Sequence, residues 1–132
     1  MIRNDALPNK FTLYLRRLYY YFTNERFSKK FNYDWNKTQT RFEIINKIIQ
    51  KKGFKSYLEI GCQSDVNFSK IIIDNKIGVD PQSGGTHRMT SDKFFLENKS
   101  TFDLIFIDGL HIHEQVLKDI DNSLNFLNEG GV

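Results

Sequence analysis

The sequence predicts an α/β fold, a parallel sheet with helices packed across it, and two observations lead there. Short apolar runs at residues 56–60, 76–79 and 102–107 are each followed by turn residues and a helical pattern, which is the alternation that a parallel sheet with crossover helices produces. The chain has 132 residues, 39% hydrophobic and 27% charged, with a formal net charge of +3, which suits one layered core and leaves no room for a second catalytic domain. Cys62 is the single cysteine, so an internal disulfide is excluded. No run approaches the ~20 apolar residues of a membrane span. Arg16 and Arg17 interrupt the apolar-rich stretch near the start, which leaves no secretory signal there. The expectation is a soluble, cytoplasmic protein.

Taken in order, residues 10–28 place Phe11, Leu15, Leu18 and Phe22 at helical spacing, with Tyr19, Tyr20 and Tyr21 widening the apolar face. This predicts a basic, aromatic amphipathic helix within a segment 1–37. Charge divides along the chain: residues 1–57 carry 13 Lys/Arg and 4 Asp/Glu, residues 58–132 carry 6 and 12. Such a front half can meet anionic partners or form a solvated face. An aromatic stripe at this spacing suits packing better than base stacking, so no nucleic acid is expected.

Residues 38–132 read as the α/β domain. Phe42, Ile45 and Ile49 predict a helix over 38–52 that ends at Gly53, where a left-handed residue is wanted. The first strand, 56–60, runs through Gly61 into a helix; the second follows at 76–79. A short third strand is expected at 86–89, then a helix begun by Ser91 and Asp92. The strongest strand is 102–107. A last helix, 113–127, carries Val116, Ile120, Leu124 and Leu127 on its expected core face. Right-handed crossovers then give the strand order third, second, first, fourth. After Gly130-Gly131 a further strand is expected to begin, so the sheet reads as incomplete at its C-terminal side, with an edge that favours a homodimer.

The chemistry gathers at the strand ends, where open α/β sheets bind ligands. In Tyr57-Leu-Glu-Ile-Gly-Cys-Gln-Ser-Asp65, Gly61 lets the backbone approach a ligand, and Glu59 can accept hydrogen bonds from its polar or cationic groups. Asp65 at a helix start would satisfy the dipole itself, as an N-cap, and repel phosphate. The turn therefore suits a ligand with an adenosine and an ammonium but no phosphate, and disfavours a dinucleotide. Asp80, in Gly78-Val-Asp-Pro81, ends the second strand close to the ~20-residue offset from which an acid takes a ribose diol. Ser91 or Asp92 either caps its helix or reaches an adenine amine. Asp108, in Phe106-Ile-Asp-Gly-Leu-His111, can hold a hard divalent cation, and His111 can take a proton from a hydroxyl. The Asp-x-x-His-x-His spacing through His113 lacks a fourth ligand for zinc.

Together these runs, Leu58-Glu-Ile-Gly61, Gly78-Val-Asp-Pro81, Met89-Thr-Ser-Asp-Lys-Phe-Phe95 and Phe106-Ile-Asp-Gly-Leu-His111, resemble the class I S-adenosylmethionine-dependent methyltransferases, over residues 57–132. The resemblance is to a small bacterial group of them. It implies a Rossmann-like fold and S-adenosyl-L-methionine as cofactor. Glu59 and Gly61 would lie at its methionine part, Asp80 on the ribose and Asp92 at the adenine, with Cys62, Gln63, Pro81 and Ser91 also among the cofactor-binding residues. Asp108 would lie beside the sulfonium or on Mg²⁺. Gln63 and Asp65 stand where the broader family has glycines. A further acidic metal ligand belongs to later strands, whose absence implies a poor catalyst. The implied reaction is O-methylation of a small molecule or glycan sugar, with His111 as base. The alternative is a cofactor-binding or interaction module without turnover.

Overall fold

The structure, a computed structural model, describes residues 38–132. The segment 1–37, with the helix expected over 10–28, lies outside the described residues. Helix α1, Arg41–Lys52, opens where the Thr40 N–H donates to the Glu43 carboxylate at 2.7 Å, which satisfies a donor that a helix start leaves without a partner. It stops at Gly53, whose φ of +69° a side chain would resist. Ile45 and Ile49 are buried, one helical turn apart.

Strands β1, Ser56–Ile60, β2, Asn75–Val79, and β3, Leu104–Ile107, form one parallel sheet in the order β2-β1-β3. Every residue of β1 is buried, as a central strand covered on both faces must be. Alternate residues divide between two cores. Tyr57 and Leu104 pack with Ile45, Ile49, Phe68 and Ile71 on the α1 side. Leu58, Ile60 and Val79 pack with Phe94, Phe95 and Phe102 on the other. That second side is covered by α2, Ser91–Glu97, and α3, His113–Leu124. The result is the expected three-layer α/β arrangement, Rossmann-like in its parallel order.

Three expectations are corrected. The short third strand is only one parallel bridge, His87 to Val79, because the chain turns sharply at Gly84 and Gly85, both at φ +67°; among the described residues the sheet has three strands. The helix expected after Gly61 shrinks to a single 3-10 turn, Phe68–Lys70. Gln63 and Asp65 stand at φ +48° and +60°, and left-handed residues cannot continue a right-handed helix.

The last helix is the third. It is inside out: Asp119 and Ser123 are buried, while Ile120 is 42% and Leu124 63% exposed. Leu127 leaves the helix altogether to bridge Phe102. At the chain's last residue, Val132 exchanges hydrogen bonds with Asp103 and Ile105 at 2.9 and 2.8 Å, where a further strand is expected to begin. Among the described residues no helix is long and apolar enough to cross a membrane.

Candidate functional site

At the carboxyl ends of β1, β2 and β3 the loops part around a cavity of about 450 Å³, within the range of small-molecule sites. Sheet topology places it there, since β2 and β3 flank β1 on opposite edges, which makes the end of β1 the point where the strand order reverses. Hydrogen bonds continue the sheet one step beyond the strands. The Gly61 N–H reaches the Val79 carbonyl and the Asp108 N–H the Ile60 carbonyl, both at 2.8 Å. At Gly61, φ is +89° and a Cβ would lie 2.4 Å from the Asp108 carbonyl oxygen. The glycine is thus required first by the loop after β3, and that close approach forms the floor of the crevice.

The first and second loops are tied together through acids. Asp80 Oδ2 accepts from the Gln63 N–H at 2.9 Å, and Oδ1 from the N–H groups of Gln82 and Ser83, each at 2.8 Å. The Ser83 hydroxyl donates to the Gln63 carbonyl at 2.9 Å, and the Gly85 N–H to Asp65 Oδ1 at 2.7 Å. Asp65 therefore caps no α-helix. It clamps the loop after β2, and the phosphate-repelling helix start expected there does not exist. Gln63 and Asp65 nonetheless adopt the positive φ that glycines would supply, and the acid clamp holds this strained backbone in place. Burial works against the Asp80 charge, but its backbone donors and nearby Arg88 hold its carboxyl below the ordinary range. Of the about four acceptor positions of a carboxylate, one on Oδ2 remains for a ligand hydroxyl.

On the α2 side, Thr90 caps the helix by accepting from the Lys93 N–H. Ser91 and Asp92 are thereby left to line the cavity, and the capping alternative is closed. Gln115 of α3 donates its amide to Ser91 Oγ at 3.2 Å, Asp92 Oδ1 at 3.2 Å and Asp119 Oδ1 at 3.0 Å. Lys118 pairs with Asp92 Oδ2 at 2.6 Å. The bond to Lys118, and then that to Gln115, hold the Asp92 carboxyl low. Asp108 is paired with Arg41 of α1, and His111 is exposed at the rim.

Of the residues singled out in the sequence, Gly61, Gln63, Asp80, Pro81, Ser91, Asp92, Asp108 and His111 line the cavity together. Glu59 and Cys62 do not. The alternation of β1 turns Glu59 to the α1 side, where it is 1% exposed and accepts from the Tyr57 hydroxyl at 2.5 Å and Asn67 at 2.9 Å. Burial pushes both the Glu59 carboxyl and the Tyr57 phenol up. Cys62 packs in the same core.

Arg41, Gln115 and Asp119 escape sequence reasoning: the first lies 67 residues from Asp108, and the others sit on a helix face that its apolar pattern assigns to solvent. A metal does not fit. Asp108 already carries a guanidinium, and among the described residues no group of three or more His, Cys, Asp or Glu could hold an ion. An adenosine-bearing ligand fits better, given the open acceptor on Asp80 and a buried Asp119 oxygen without a partner.

Residues 31–132 match a family model described as a methyltransferase domain. Comparison with curated proteins returns no match.

Proposed function

Because the chain belongs to this methyltransferase-domain family, we propose that it transfers a methyl group from S-adenosylmethionine to a hydroxyl of a small molecule or glycan sugar. The observation that carries the reading is Asp80, buried at the end of β2, lining the cavity and fixed by three backbone donors that leave one acceptor position unfilled. A carboxylate so held meets a ribose hydroxyl without reorganisation. Of the four cavity-lining acids, Asp92 and Asp108 are paired with Lys118 and Arg41, while Asp80 and Asp119 form no ion pair among the described residues, and these two favour a cationic ligand over a pyrophosphate.

When bound, S-adenosylmethionine supplies an electrophilic methyl carbon on a sulfonium. The chain supplies position. Gly61 and Gly109 leave backbone rather than side chains on the crevice floor, and the Arg41–Asp108 pair fixes the carboxylate beside it. His111 at the exposed rim would take the proton from the acceptor hydroxyl as its oxygen bonds the methyl carbon, the methyl–sulfur bond breaks and the neutral thioether S-adenosylhomocysteine leaves. In-line attack demands alignment to within about an ångström, which is where most of the rate arises.

His111→Ala is expected to lower turnover on the order of a hundredfold or more while leaving S-adenosylhomocysteine binding within about twofold, since a base at the rim contributes to transfer and not to cofactor affinity. A methyl-transfer assay over a panel of hydroxylated sugars, paired with calorimetry, separates the two. Wild-type calorimetry with S-adenosylmethionine, S-adenosylhomocysteine and NAD tests the reading itself. Preference for NAD overturns it. Binding of the adenosyl ligands with no transfer to any acceptor favours the non-catalytic module.

A further inference from the structure

Helix α3 turns its polar side inward, and the residue most deeply buried there is an acid. Asp119 is 1% exposed, lines the cavity and spends Oδ1 on Gln115. Its other oxygen, Oδ2, is buried with no hydrogen-bond partner. Among the described residues no Lys, Arg or His forms an ion pair with it, for adjacent Lys118 is directed to Asp92. An isolated buried carboxylate oxygen is a strongly unfavourable arrangement. It is explained if a donor enters from the cavity.

The position selects which donor. Asp119 stands at the β3 side of the crevice, with Oδ2 3.8 Å from where a Cβ on Gly109 would be, whereas Asp80 claims the ribose at the β2 side. Asp92 is half-exposed and already has a donor on each oxygen, Gln115 and Lys118, so it needs no ligand, whereas Asp119 Oδ2 is buried with no donor at all. Resting on the cofactor reading above, we propose that Asp119, not Asp92, is the residue that accepts the exocyclic amine of the adenine and so selects adenosine over other nucleosides.

Gln115 makes the proposal sharp. Its NH₂ faces three acceptors, so the amide cannot flip without setting its oxygen against carboxylates. In Asp119→Asn the new amide must therefore keep its oxygen on Gln115 and offer its NH₂ to the cavity, where it meets the adenine amine donor to donor.

The test is calorimetry with S-adenosylhomocysteine and its analogue bearing hydrogen in place of the amine, on wild type, Asp119→Asn and Asp92→Asn. Wild type is expected to prefer the amine by on the order of tenfold or more, the worth of a hydrogen bond to a charged group. Asp119→Asn should lose that preference, and its unliganded melting temperature should hold or rise, because an unpaired buried charge is gone. Asp92→Asn should keep the preference. Retention by Asp119→Asn, or loss confined to Asp92→Asn, overturns the proposal. The wild-type comparison needs no variant: discrimination below twofold overturns it too. Wild type binding neither compound fails the cofactor reading itself.

Discussion

Gly61→Ala is expected to remove a large share of the fold's stability. Two penalties add. A non-glycine residue at φ +89° carries strain of roughly 1–3 kcal/mol. The added Cβ, 2.4 Å from the Asp108 oxygen and 2.5 Å from Gly109 Cα, meets backbone, which cannot rotate aside, and overpacking of that kind costs about 1–3 kcal/mol. The sum, about 2–6 kcal/mol, is a large share of the 5–15 kcal/mol typical of a domain. A drop in melting temperature of roughly 7–22 °C follows. Gly109→Ala is the contrast: its φ is not in the left-handed region and its Cβ would lie 3.3 Å from the Ile60 Cγ2 methyl, a tight side-chain contact and not a clash with backbone. Circular-dichroism melts decide the matter, and equal small shifts in both variants would show that the β1 and β3 loops are not held as described.

Asp80→Ala is expected to cost both affinity and stability. On the ligand side, removing one charge-assisted bond of ~1.5–3 kcal/mol weakens adenosyl binding on the order of tenfold to 150-fold. On the fold side, the N–H groups of Gln63, Gln82 and Ser83 lose their acceptor, and the loops they belong to come apart. pH separates the carboxylate's part from the rest. The Asp80 carboxyl lies below its ordinary 3.8 in the folded protein, so its contribution is fully present above about pH 4 and is lost as pH falls through the folded value. The difference in stability between wild type and Asp80→Ala should accordingly be flat from neutrality to about pH 4 and shrink below it. A difference that grows on acidification would assign the effect to another group.

The strands were legible because burial on both faces leaves short continuous apolar runs, and their ends were legible because glycine and aspartate stand there together. Residues 56–60, 76–79 and 102–107 found the sheet, and Asp80, Asp92, Asp108 and His111 found the cavity. What misled was periodicity without knowledge of the partner. In α3, Ile120 and Leu124 have the spacing of a core face, yet Asp119 and Ser123 are the buried residues, with Asp119 Oδ1 bonded to Gln115 of the same helix. In β1, alternation puts Glu59 with Tyr57 on the α1 side, and just past the strand the turn at Gly61, φ +89°, brings Cys62 back into that same core, which a glycine-turn motif read as a string ignores. The Arg41–Asp108 pair has no local signal at all. It exists because α1 and the β3 loop meet only in three dimensions.

Cys62 carries a consequence of its own. Its sulfur sits in the slot left by two absent side chains, 2.6 Å from where a Cβ on Gly78 would be and 3.1 Å from one on Gly85. Burial, then the charges of Glu59, Asp65 and Asp80, push the thiol up to about 12, so in the closed domain it is neither reachable nor a thiolate. A disulfide reagent in the surrounding buffer must wait until the β1 and β2 loops separate. The rate at which the single cysteine is labelled thus serves as a clock for that opening, and it should slow when a ligand bridges the same two loops through Asp80.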